Sequence, residues 1–139
     1  MGEKNFFMGV TLKVIREVGA IPSLVALLES GAERAKESAA AGLCEIANDD
    51  HSRNLIARSG AIPALVKLLQ KGSDRAKELA LTALSNISFT EDNEDNLVSI
   101  GKAGAIPPLV ALLALRSDAM KEKAAFALWE LSQIRLTSS

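Results

Sequence analysis

The chain has 139 residues, of which 48% are hydrophobic, and its formal net charge at pH 7 is −1. Near-neutral charge gives no bulk attraction to nucleic acid or acidic lipid, and no apolar run reaches the ~18 residues that a membrane span needs. The single cysteine excludes an internal disulfide framework and indicates a reducing, cytoplasmic compartment, with the nucleus as the alternative.

One phrase, Gly-Ala-Ile-Pro, recurs three times, beginning at Gly19, Gly60 and Gly104, at spacings of 41 and 44 residues. Leu-Val and then Leu-Leu follow each copy at the same offsets. A period in this range indicates stacked repeats, each burying its apolar face against a neighbour. The sequence therefore predicts a single domain over residues 1–139, with units of about 9–48, 49–90 and 91–133 and a tail at 134–139.

Each unit is predicted to begin with a short helix, over about 10–18, 51–58 and 94–103. In the second and third units, Leu55, Ile56, Leu97 and Ile100 occupy the inward positions of these helices. The glycine of the Gly-Ala-Ile-Pro phrase follows this helix, and it permits the positive φ that a sharp corner between two helices needs.

A middle helix is predicted to start at the proline of each phrase, where a missing amide hydrogen does no harm. Gly31 and Gly72 stand where a left-handed C-cap would end the first two middle helices. Arg116 takes that place in the third unit, with an expected penalty of roughly 1 kcal/mol if the same geometry is kept.

The third helix of each unit is the longest, and in the second unit it is predicted over about 74–88. Its apolar residues recur at i, i+3, i+4 and i+7, as in a helix with one buried stripe. Ser73 and Ser117 are predicted N-caps, because a serine hydroxyl can accept a bond from an orphan first-turn amide. Ala32, at the matching place in the first unit, cannot.

The phrase Gly-Ala-Ile-Pro-x-Leu-Val-x-Leu-Leu, followed by a helix that ends Ala-Leu-Ser-Asn-Ile-Ser at 83–88, resembles the armadillo repeat. The resemblance is closest to vacuolar armadillo proteins and to the armadillo domains of plant U-box ligases. It implies an all-α fold, a right-handed superhelix (α-solenoid) of about three armadillo repeats. It also implies a non-enzymatic scaffold or adaptor whose third helices line a concave groove for an extended peptide.

Residues four apart share one face of a helix, so each third helix presents one ridge of three residues. The nine predicted peptide-binding residues are Glu37, Ala41, Glu45, Glu78, Thr82, Asn86, Glu122, Phe126 and Glu130.

In the family an Asn near the end of the third helix bonds the peptide backbone and a Trp one turn earlier packs its side chains. Only Asn86 matches the Asn, and Ala41, Thr82 and Phe126 replace the Trp, which weakens the case for importin-type recognition. Five Glu and no basic residue on the ridges predict a partly basic peptide partner. The alternative is a solvated helix face, because Glu is a common helix former.

The last helix carries apolar residues with no fourth unit to cover them, and Trp129, Leu131 and Ile134 are predicted to mediate self-association. A homodimer through the repeat ends would be two-fold, or the copies would form an open head-to-tail file. The alternatives are that Trp129 packs within its own unit and that residues after Gln133 fold back as a cap. A second functional hypothesis is therefore a self-associating structural fragment of a longer array, without a peptide groove of its own.

No residue set suggests catalysis, a cofactor or a metal. Cys44 would need a base within reach to act as a nucleophile, and the lone His51 belongs to another predicted helix. One His and one Cys do not make a zinc site. The expected partner is therefore a protein or peptide, with no nucleic acid and no membrane insertion.

Overall fold

The computed structural model describes residues 19–88, 94–115 and 117–134, which form eight helices and no strand. The first unit contains α1 (Ala20–Ser30) and α2 (Glu33–Ile46). The second contains α3 (Asp50–Arg58), α4 (Ala61–Lys71) and α5 (Asp74–Ile87). The third contains α6 (Glu94–Lys102), α7 (Ile106–Leu112) and α8 (Asp118–Ser132). The helix predicted at 10–18 lies outside the described residues.

The helices stack in the order that the repeat predicts. Each middle helix packs on the third helix of its own unit, and α5 packs against both α2 and α8. The middle helices also contact one another, α1 with α4 and α4 with α7. Leu43, Leu65, Leu81 and Leu109, one or two from each unit, are at most 1% exposed in one continuous core. The all-α repeat fold expected from the sequence is confirmed.

The middle helices begin earlier than predicted. The first two start at the phrase alanine, two residues before the proline, and α7 starts one residue before Pro107. The positive φ of the phrase glycines is confirmed, at 79° for Gly19, 88° for Gly60 and 89° for Gly104. In α1 and α4 the corner is complete at the glycine and the helix begins directly after it, whereas α7 begins one residue later, after Ala105. In all three the proline still lies in the first turn, where no amide is needed.

The predicted left-handed C-caps are wrong. Gly31 and Gly72 end α1 and α4 in extended conformations, with φ of −75° and −74°. Steric crowding explains why glycine stands at both positions. A Cβ on Gly31 would lie 2.6 Å from the carbonyl oxygen of Leu27, and a Cβ on Gly72 would lie 2.7 Å from the carbonyl oxygen of Leu68. In the third unit α7 already ends at Leu112, and Arg116 lies outside the described residues.

The predicted caps of the third helices are confirmed. The Ser73 hydroxyl accepts a bond from the Ala76 amide at 3.1 Å, and the Ser117 hydroxyl accepts one from Met120 at 3.3 Å. Ala32 gives α2 no side-chain cap. The N-cap of α3 was not predicted from the sequence. There the Asp49 side chain accepts a hydrogen bond from the Ser52 amide at 2.7 Å.

Candidate functional site

The three third helices lie side by side, since α5 packs between α2 and α8. All nine predicted ridge residues keep some exposure to solvent, and we call this set the ridge surface. Glu45, Glu78, Glu122 and Phe126 are exposed, and the other five are half-buried. The ridge surface is therefore accessible along its length, as a binding site for a chain-like ligand would need to be.

Side-chain bonds join the first two ridges. The Ser73 hydroxyl donates to Glu37 Oε2 at 2.9 Å, and Arg75 Nε lies 3.6 Å from Glu37 Oε1. Asn86 Nδ2 donates to the backbone carbonyl of Cys44 at 3.3 Å. This bond uses one of the two amide hydrogens of Asn86, and its second hydrogen and its carbonyl oxygen are left for other partners.

Two further bonds join the second and third ridges. Lys123 Nζ donates to Thr82 Oγ1 at 3.0 Å, and the Ser88 hydroxyl donates to Glu130 Oε1 at 3.3 Å. Lys123 is not one of the nine ridge residues, but its ammonium brings a positive charge to the ridge surface at Thr82. Comparison of the repeats does not predict this contact, because the matching positions of the other units hold Ser38 and Leu79, which are not basic.

The carboxylates of the ridge surface fall into two groups. Glu45, Glu78 and Glu122 have no hydrogen-bond or ion-pair partner for their carboxylates among the residues that the structure describes. Glu130 is half-buried, and burial raises its pKa, an effect that the bond from Ser88 partly opposes. Three carboxylates are thus free to meet an incoming cation.

Cys44 lies at the edge of the first ridge and is held in its thiol form. Its Sγ donates to the carbonyl of Leu79 at 3.3 Å. Burial raises its pKa to about 11, although nearby Lys123 acts in the opposite direction. A thiol this weakly acidic carries almost no thiolate at neutral pH, so it is a poor nucleophile.

An exposed aromatic pair stands at the third ridge. The rings of Phe126 and Trp129 are tilted by 32° with centroids 5.9 Å apart, and the two residues are 45% and 58% exposed. Ile134 is half-buried beside a depression that Trp129 also lines. Leu131, expected at an uncovered end, is only 4% exposed. It belongs to the buried core and lines a small depression together with Leu97 and Leu109, so it offers little surface for self-association.

The described ranges contain no metal-ligand cluster and no helix that could cross a membrane. No three His, Cys, Asp or Glu side chains in them come together as ligands for a metal ion. None of the helices in them has the length and hydropathy that crossing a membrane requires.

Comparison with solved structures relates the stack to armadillo proteins. A designed armadillo repeat protein superposes with a TM-score of 0.78 at 28% identity, over 86% of this chain and 50% of the other. A second designed armadillo repeat protein, in complex with the peptide (KR)4, gives 0.75 at 27% identity, over 88% and 55%. The armadillo repeats only protein of Plasmodium falciparum, at 19% identity and 0.77 over 92% and 59%, shares the fold.

The chain thus spans between half and three fifths of the length of these structures. Comparison with curated proteins gives no significant match. The model of the armadillo/beta-catenin-like repeat matches residues 12–48 and 49–89, more than half of the sequence. With the stacked units and the armadillo neighbours, this match shows that the chain belongs to the armadillo repeat family.

Proposed function

We propose that this chain is a protein-interaction scaffold that binds an extended, basic peptide along the ridge surface, on the concave face of the third helices. The observation that carries the proposal is the row of unpaired carboxylates, Glu45, Glu78 and Glu122, one on each of three adjacent helices. Glu78 and Glu122 occupy matching positions of their helices and Glu45 stands two turns further along α2, so negative charges are spread over all three ridges, which suits a ligand with several cations. The role needs no catalytic group.

The designed armadillo protein that holds (KR)4 supports this choice of ligand. In this chain each exposed carboxylate would contribute roughly 0.2–1 kcal/mol, because solvent screens exposed ion pairs. The free amide hydrogen of Asn86 offers a backbone bond at the centre, and the Phe126–Trp129 pair offers apolar contact at the third ridge. Lys123 disfavours a cation beside Thr82, the middle residue of the second ridge, so the preference for cations should be weakest there.

Calorimetric titration with (KR)4 tests the proposal, with a neutral Gln-Ser peptide of the same length as the control. We expect (KR)4 to bind more tightly and to lose affinity as salt rises. Glu78→Gln should weaken binding by about 1.5- to fivefold. Glu29→Gln is the matched control, since it removes one exposed carboxylate from α1, outside the ridge surface, and it should bind as the original chain does.

Asn86→Ala adds a test of backbone recognition, with an expected loss of about 1 kcal/mol, or roughly fivefold in affinity. Because the same change removes the bond to Cys44, thermal unfolding must first show that the variant is folded at the titration temperature. Equal binding of the two peptides, or equal effects of Glu78→Gln and Glu29→Gln, would favour a merely solvated helix face.

A further inference from the structure

The same three positions of each middle helix differ in exposure according to the unit in which they stand. They are Ile21, Val25 and Leu28 in α1, Ile62, Val66 and Leu69 in α4, and Ile106 and Val110 in α7 with Leu113 directly after it. In α1 and α4 all of them are at most 4% exposed. In α7 they are 39%, 52% and 39% exposed. These positions are therefore the ones that a following unit covers, and we call the α7 set the trailing face.

The opposite side of the middle helices shows the reverse gradient. The positions are Ala20, Leu24 and Leu27 in α1, Ala61, Leu65 and Leu68 in α4, and Leu109 and Leu112 in α7 with Ala105 directly before it. In α4 and α7 they are at most 4% exposed. In α1, Leu27 is 43% exposed and the other two are half-buried. These positions pack on a preceding unit, and we call the α1 set the leading face.

The third helices extend the trailing face. Ala125 of α8 is exposed, whereas the matching Ala40 and Leu81 are 0% exposed. Trp129 lies four residues after Ala125, on the same side of α8. Its counterpart in the first unit, Cys44, bonds to a carbonyl of α5 in the following unit. Trp129 thus occupies a position that, one repeat away in this chain, contacts the next unit.

We propose that the trailing face of one copy of this chain binds the leading face of a second copy, so that copies assemble head to tail. Successive middle helices already contact one another twice, α1 with α4 and α4 with α7, and α4 also packs against α6 of the following unit. The trailing triplet is Ile-Val-Leu in every unit, and the leading triplet is Ala-Leu-Leu in every unit. The two exposed faces are therefore the two halves of one interface whose complementarity the fold itself demonstrates.

The packing of successive units does not favour a two-fold contact between two trailing faces. Such a contact would place Ile-Val-Leu against Ile-Val-Leu, whereas in the described chain this triplet is buried where a further unit follows it, in α1 and α4. A contact between two different faces does not close on itself, so the assembly continues with concentration. At least two internal bonds are lost between copies. Glu122 corresponds to Glu37 but would meet Ala32 where Glu37 meets Ser73, and Glu45, which has no hydrogen to donate, stands where Asn86 donates to the Cys44 carbonyl. The contact between copies should therefore be weaker than the contacts within one.

Sedimentation over a range of concentrations tests the proposal with two face variants. Val110→Glu blocks the trailing face and Leu27→Glu blocks the leading face, since each buries an unpaired carboxylate in the contact. We expect the original chain to exceed the mass of a dimer as concentration rises, and each variant alone to stay monomeric. An equimolar mixture of the two variants should form a dimer, because each keeps the face that the other lacks.

Ala111→Glu is the matched control on α7. Position 111 is exposed, and its counterpart in α4 is the exposed Lys67, so a charge is tolerated there. It should assemble as the original chain does. Far-ultraviolet circular dichroism checks that each variant is folded, and Ile106→Glu replaces Val110→Glu if that variant loses its helical signal.

Three results would overturn the proposal. The original chain could remain a monomer at the highest concentration, the mixture of variants could fail to dimerise, or Leu27→Glu alone could still form dimers. The last result would indicate a two-fold contact between trailing faces. None of the three bears on peptide binding by the ridge surface, because no peptide is present in the experiment.

Discussion

Two glycines at different places in the repeat should respond in opposite directions to the same added methyl group. Gly42 lies inside α2, where the other two units have Ala83 and Ala127. A Cβ there would lie 3.5 and 3.6 Å from the two terminal carbons of Leu24, at ordinary van der Waals distance. Gly72 follows α4 and would place its Cβ 2.7 Å from the carbonyl oxygen of Leu68.

The magnitudes follow from these distances. Glycine inside a helix is about 1 kcal/mol less favourable than alanine, and the new methyl of Gly42→Ala has room, so the free energy of unfolding should rise by about 1 kcal/mol. Gly72 has an extended backbone with φ −74° and ψ 171°, which any residue adopts, so steric crowding alone decides its effect. Because a backbone oxygen must move, Gly72→Ala should lower the free energy of unfolding by roughly 1–3 kcal/mol.

Urea unfolding followed by circular dichroism measures both changes as shifts of the midpoint at constant slope. Thermal unfolding should show the Gly42→Ala midpoint raised by roughly 3–5 °C. A lower midpoint for Gly42→Ala would refute the reasoning, since it would mean that the first unit packs differently from the other two. An unchanged midpoint for Gly72→Ala would show that the Leu68 carbonyl moves at no cost.

Three further predictions concern caps and titration. Ser73→Ala removes an N-cap and should lower the free energy of unfolding by about 1 kcal/mol in urea unfolding. Ala32→Ser adds a cap where the backbone is already extended, and it should raise the free energy of unfolding by roughly 0.5–1 kcal/mol. Cys44, with its pKa of about 11 against 9.0 for a free thiol, should react with iodoacetamide at pH 8 about a hundredfold more slowly when folded than in urea. The raised pKa of Glu130 contributes stability that is present below pH 4.5 and is lost as pH rises, so Glu130→Gln should stabilise the fold at pH 7 but not at pH 4 in the same unfolding assay.

The sequence predicted the fold well because the repeat aligns three independent copies of one pattern. The third helices, the positive φ at Gly60 and the cap at Ser73 each follow from local chemistry that a sequence displays directly. Gly31 and Gly72 show the limit of that approach. A glycine at the end of a helix suggests a left-handed cap, but here crowding by a carbonyl one turn earlier requires it, and that distance exists only in three dimensions.

The ridge surface was less predictable than the fold. Helical spacing brings Glu78 and Asn86 to one face, but it does not reveal which bonds form between units. Lys123 is one such case, since its ammonium reaches a hydroxyl 41 residues away on the neighbouring helix. Leu131 is a second case that the sequence could not predict. An apolar residue at the end of an array suggests an uncovered surface, and only the packing around Leu131 shows that it is buried.

The three middle helices differ in how many of their residues are buried, so they should differ in how readily they unfold locally. α4 buries seven of its eleven residues, α1 buries three of eleven and α7 buries two of seven. Amide hydrogens exchange with solvent through local opening, which is easiest where burial is least. Exchange should therefore be slowest in α4 and faster towards both ends, so the array can fray at either end while its centre stays closed. A ligand that spans all three ridges would slow exchange most in the outer helices, far from where the protein is already most protected.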